Sequence, residues 1–129
     1  MPRTSRRSTP QAQRREPILD DTLVRQARAF TDIAVITICR FSGEDYDRTG
    51  QPHDGDYFLS FEEEHMVKKV LAAFPRVAVV LNTGGMMDTL WFKEQPSIGA
   101  ALLAWQGGME GGLAAADILV GDVCPSGHL

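Results

Sequence analysis

Five charged residues, Arg40, Glu44, Asp45, Asp47 and Arg48, crowd into nine consecutive positions. Carboxyl groups set this close together are suited to proton transfer. A neighbouring carboxylate disfavours ionisation and so helps keep a proton on its partner near neutral pH. The two arginines act the other way, favouring the ionised form. The cluster follows directly on Ile33–Cys39, a run in which Ile33, Val35, Ile36 and Ile38 have the β-branched, nearly unbroken apolar character of a strand buried on both faces. Open α/β sheets hold their ligands in the crevice beyond the carboxyl ends of such strands. Glu44 is therefore read as a catalytic carboxyl whose partner carboxylate is not in this chain.

The flanking patterns supply the elements that must position this loop. Asp20 and Asp21 open a helix in which Leu23, Val24, Ala27 and Phe30 recur at helical spacing, with acidic residues at its favourable end. Arg40 to Leu59 is a loop of about twenty residues, a length that in a compact domain signals function. Ser60 to Phe74 is the clearest helix. Ser60 and Glu63 form a capping box, Met66, Val67, Val70, Leu71 and Phe74 make the buried stripe, and Pro75 stops it. Val77 to Leu81 is a second apolar strand, leaving through Asn82-Thr83-Gly84-Gly85, and a short helical turn is expected over Met86 to Phe92. Ile98 to Trp105 reads as a third strand, followed by a glycine-rich stretch and a last helix from Leu113 to Val120 that closes at Gly121. The sum is an α/β fold: an open, mostly parallel sheet with helices on both faces and flavodoxin-like layering. With three strands where five or six are usual, the unit reads as incomplete.

Composition narrows the function classes. The 129 residues are 43% hydrophobic and 23% charged, enough for one small soluble domain. The net charge of −4 is unevenly placed, because residues 1–17 hold five Arg and one Glu while the remainder holds eight basic and sixteen acidic residues. An acidic body excludes nucleic acid as the main partner, and no apolar run is long enough for a membrane span. Residues 1–17, rich in Arg, Ser, Thr, Gln and Pro, read as a disordered basic arm, and the domain as 18–129. Cys39 and Cys124 show no metal-ligand spacing and read as reduced thiols of a cytoplasmic protein. Neither a metal nor a cofactor is expected. Trp91 and Trp105 are read as core packing rather than sugar-stacking residues, and each histidine as an isolated surface residue.

Five blocks in order carry a resemblance: Ser42–Arg48 (SGEDYDR), Gly55–Glu64 (GDYFLSFEEE), Val79–Gly85 (VVLNTGG), Leu102–Gly112 (LLAWQGGMEGG) and Gly121–Leu129 (GDVCPSGHL). Together they resemble the second, α/β sandwich domain of glycoside hydrolase family 3, the β-glucosidases and β-xylosidases, over about residues 20–129. The resemblance implies a retaining glycosidase acting on a carbohydrate. It puts the nucleophile, an Asp, on a preceding (β/α)8 barrel that has no counterpart in this chain. The acid/base Glu of the family's SGE-type motif lands on Glu44, and a cleft-bordering Glu lands on Glu110. Met109 stands where Gln is usual, Cys124 where Asn is common and His128 where Lys or Arg is common. Asp47 and Arg48 either contact sugar or pair with each other to support the loop.

These readings imply a partial C-terminal domain of a β-glucosidase-like enzyme that is inactive without a barrel, whether as a fragment, a split half or a remnant. Its partners would be a separate barrel or a second copy of itself. The alternatives are a non-catalytic α/β module binding sugar or another small ligand and, more remotely, a phosphate-binding domain using Gly84-Gly85 and Gly107-Gly108.

Overall fold

The apolar runs and amphipathic stretches become seven elements in the expected order: α1 (Asp21–Phe30), β1 (Ile33–Arg40), α2 (Phe61–Ala73), β2 (Arg76–Thr83), α3 (Leu90–Lys93), β3 (Ile98–Leu103) and α4 (Gly111–Val120). The computed structural model of the chain describes residues 16–41 and 48–127. The expectation of a disordered arm falls, but for Glu16 and Pro17, outside the described residues, as does His128.

The strands form one sheet in the order β1-β2-β3, both pairs parallel. Ile36 lies beside Val79, Ile38 beside Leu81 and Arg40 beside Thr83. These residues share one face because side chains alternate along a strand. That face is the core. Val67 and Val70 of α2, with Phe74 just past its end, pack on Ile36, Ile38, Val77, Val79 and Leu81, with Leu59 and Met87 closing the carboxyl end. Burying each such side chain is worth about 1.5–3 kcal/mol. Helix α2 is fixed at its start by the predicted capping box. The Ser60 Oγ accepts from the Glu63 N–H at 3.2 Å, and Glu63 Oε2 accepts from the Ser60 N–H at 2.8 Å. Gly121 ends α4 at φ 87°, a left-handed conformation that glycine adopts without strain.

The second face departs from the expectation of strands buried on both sides. Ile33 is 47% and Val35 50% exposed, and β3 has no buried residue. Helix α4 stands across a groove of 320 Å³ lined by Val35, Thr37, Val80 and Leu119, and buries none of its own residues. A continuous apolar run marks a strand but does not reveal how closely a helix seats on each face. In α1, Val24 and Ala27 pack against the core as expected, whereas Leu23 and Phe30 remain exposed. Trp91 packs at the edge of the core, its indole N–H donating to the Asp88 carbonyl at 3.1 Å. Trp105 does not. It lies beyond β3 at φ 56°, is 48% exposed and lines the α4 groove, because the strand ends at Leu103 and the chain turns before the indole reaches the core.

Candidate functional site

Strand β1 ends at the carboxyl edge of the sheet, and its last residue ties that end to the stretch leading into α2. Alternation points Arg40 to the core face, where it is only 5% exposed. A guanidinium so placed must satisfy five N–H donors and one positive charge. It does both. Nη1 and Nη2 donate to Glu63 Oε1 and Oε2, each at 2.7 Å, in a bidentate pair. Nη1 also reaches the Cys39 carbonyl at 2.8 Å, Nη2 the Phe58 carbonyl at 3.3 Å, and Nε the Asp56 carbonyl at 2.8 Å. Glu63 therefore serves two ends at once, capping α2 and neutralising Arg40.

Arg48 re-enters the described residues on the other side of the charged loop. Its Nε donates to Asp56 Oδ1 at 2.7 Å, its Nη2 to the Asp56 carbonyl at 2.8 Å and its Nη1 to the Met86 carbonyl. The second carboxylate oxygen of Asp56 accepts from the Thr49 N–H at 2.6 Å. Asp56 is 4% exposed, so this ion pair is shielded from water. The exit loops of β1 and β2 are thereby joined, and the Asp88 N–H adds a bond to the Tyr57 carbonyl at 2.8 Å. Gly85 leaves room for the guanidinium, since a Cβ there would stand 2.8 Å from Arg48 Nη1 and would push that end of the side chain aside.

Around this hub the loop after Arg48 is ordered by short polar contacts. Asp54 accepts from the Thr49 hydroxyl and from the N–H groups of Gln51 and Asp56. Burial works against its ionisation, but those hydrogen bonds outweigh it and hold the Asp54 carboxyl below the usual range. His53, at φ 64°, stacks on Phe61 with ring centroids 4.1 Å apart and brings Nδ1 to 2.7 Å from Glu64 Oε1. It is therefore part of the loop's packing, not the isolated surface residue expected. Beside these groups, at the carboxyl end of β1, lies a cavity of 570 Å³ lined by Cys39, Arg40, His53, Asp54, Glu62 and Glu63 among others.

Of the residues singled out from sequence, Glu44 and Asp47 lie outside the described residues. Arg48 is half-buried, and the carboxylate it meets in the structure is Asp56. Glu110 stands at the start of α4, exposed, its side chain capping no backbone N–H. Arg40 and Arg48 are each met by a carboxylate of their own, so neither is an uncompensated cation. Asp56 and the Arg40–Glu63 pair were not anticipated. Asp56 lies 8 positions from Arg48 and Glu63 lies 23 from Arg40, and no local pattern in the sequence links either pair.

Among the described residues no group of three or more His, Cys, Asp or Glu could hold a metal ion, and no helix is long and apolar enough to cross a membrane. Cys39 and Cys124 are free and exposed.

Residues 11–129 match the model of the glycosyl hydrolase family 3 C-terminal domain. This chain belongs to that family. The family 3 domain is 44% identical to beta-glucosidase A of Butyrivibrio fibrisolvens, over 89% of the chain and 16% of that protein. It is 37% identical to a beta-glucosidase of Ruminococcus albus, over 86% of the chain and 11% of that protein. Among solved structures, a beta-glucosidase from Paenibacillus barengoltzii superposes with a TM-score of 0.81 at 39% identity, covering 88% of the chain and 12% of that one. Beta-glucosidase 3B from Thermotoga neapolitana, in complex with glucose, gives 0.78 at 36%, covering 89% and 16%. The chain thus spans only a small part of the length of each relative. The parallel sheet with α2 on its core face is the architecture these proteins share with it.

Proposed function

We propose that this family 3 domain is the acid/base half of a β-glucosidase-like retaining glycosidase. Glu44 is the general acid/base, and the nucleophile is a carboxylate on a separate barrel domain. The observation that carries the reading is the position of Glu44 in a family 3 domain: four residues beyond Arg40, where β1 leaves the carboxyl edge of the sheet. Retaining glycosidases need two carboxyl groups about 5–5.5 Å apart, one to attack the anomeric carbon and one to protonate the leaving oxygen and then activate water. A position just after the carboxyl end of a sheet strand suits a group that must meet its partner across an interdomain cleft. The substrate is a β-linked carbohydrate, with Glu110 and Asp47 bordering the same cleft and Arg48 supporting the loop. Free, exposed Cys39 and Cys124 are in keeping with a reducing, cytoplasmic setting.

The chain alone supplies one carboxyl of the pair and is expected to be inactive, because loss of the nucleophile removes the covalent step. The test is hydrolysis of an aryl β-glucoside by the purified chain, alone and mixed with a family 3 barrel domain, for wild type and Glu44→Gln. Turnover only in the mixture, lost in Glu44→Gln, is the expected outcome. Turnover by the chain alone would mean that a nucleophile lies within these residues. Sugar binding by the chain alone, unaffected by Glu44→Gln, would favour a non-catalytic binding module.

A further inference from the structure

The loop that leads into α2 is fastened to that helix through His53. The backbone there takes φ 64°, a left-handed conformation that a non-glycine residue keeps only where its surroundings hold it. Three contacts do so, all with the start of α2. The His53 backbone bridges to Ser60, its ring stacks on Phe61 with the planes 13° apart, and its Nδ1 lies 2.7 Å from Glu64 Oε1. The last contact depends on a proton. Nδ1 is buried and makes no well-directed hydrogen bond, so the attraction is one of charge rather than of alignment. A neutral ring protonated on Nδ1 would need its N–H aimed at the oxygen. One protonated on Nε2 would set a lone pair against the carboxylate. Only the imidazolium carries the positive charge that makes so close an approach favourable.

The charges that face the ring are mostly negative. Glu62 and Glu63 line the same cavity from α2, Asp54 follows in the loop, and Glu16 lines it from the segment before α1. Arg40, at the end of β1, is neutralised by Glu63. Lys68 stands 3.7 Å from the far oxygen of Glu64, with most of its side chain in solvent. The acidic first turn of α2 also offsets the positive end of the helix dipole, which would otherwise repel a cation there.

We propose that His53 is a proton-operated latch. Its imidazolium, held by Glu64 and stacked on Phe61, fastens the loop 49–58 to the first turn of α2, and loss of the proton as pH rises loosens it. The same loop carries Asp54 and Asp56, which order its backbone and hold Arg48. The latch therefore controls how firmly the loop is seated beside the carboxyl edge of the sheet. Asp54 is not the switch, because its carboxyl, held below the usual range, stays ionised wherever an imidazole titrates.

The test is amide hydrogen exchange of the purified chain at about pH 6 and about pH 8, which bracket the ordinary titration of an imidazole, with each rate divided by its intrinsic value. The reporters are the N–H groups of Asp54, Asp56 and Tyr57, each bonded within the loop. In wild type their protection should be about two- to fivefold greater at the lower pH, the size expected of a partly exposed ion pair. In His53→Gln and in Glu64→Gln it should not change with pH. His65→Gln, which removes the exposed histidine next to Glu64 in sequence, should keep the wild-type difference. Glu64→Gln leaves His53 and its stack in place and decides the matter if His53→Gln does not fold. Equal protection at both pH values in wild type overturns the proposal. So does a difference that survives in either His53→Gln or Glu64→Gln, or one that vanishes in His65→Gln.

Discussion

Asp54 shows at the scale of one residue how the loop after Arg48 depends on pH. Its carboxyl is held below the ordinary value of 3.8, with burial opposing ionisation and hydrogen bonds from Thr49, Asp56 and Gln51 prevailing. A folded-state pKa below the unfolded one means stability that is fully present above pH about 4 and lost as pH falls through the folded value. Asp54→Asn should therefore lower the urea midpoint at pH 7, with the difference from wild type shrinking as pH falls below 3.8. A gap of equal size at neutral and acid pH would show that the carboxylate charge is not what the loop uses. Glu63 illustrates a different economy, in which one carboxylate meets both a helix N-terminus and a buried guanidinium.

That double duty gives the element scale its sharpest contrast. Helix α2 begins with a reciprocal cap, and Ser60→Ala removes only one side of it, an expected loss of about 1 kcal/mol. Glu63→Ala removes the other side and also leaves Arg40, 5% exposed, without its counter-ion. Breaking a buried pair in this way costs about 3–5 kcal/mol. Urea unfolding of the two variants should separate them clearly; similar losses would mean that Arg40 finds another counter-ion. The cap was legible in the sequence because its two partners are three residues apart on a known pattern. The Arg40 pair was not, because its partners meet only when β1 and α2 pack together.

For the whole molecule, the asymmetry of the sheet is the main feature. One face carries the core, while the other leaves Ile33 and Val35 about half exposed beneath a loosely seated α4. Among the described residues β1 and β3 also form the two edges of the sheet. Exposed apolar area and open strand edges favour association. The chain should therefore sediment as a concentration-dependent mixture at micromolar levels, and Val35→Lys should shift it toward monomer. A sharp monomer boundary at every concentration, with or without the substitution, would show that the second face is satisfied within one chain.

By itself the sequence determined the order of all seven elements, the α2 cap, the Gly121 stop and the family, since each is written in local periodicity, turn chemistry or short contiguous blocks. Only the tertiary structure decided that Arg40 turns inward to Glu63, that Arg48 is held by Asp56, that Trp105 leaves the core and that one sheet face stays open. Those outcomes depend on which side chains meet across many intervening residues and on how closely helices seat on strands. Hydrophobic pattern cannot express either.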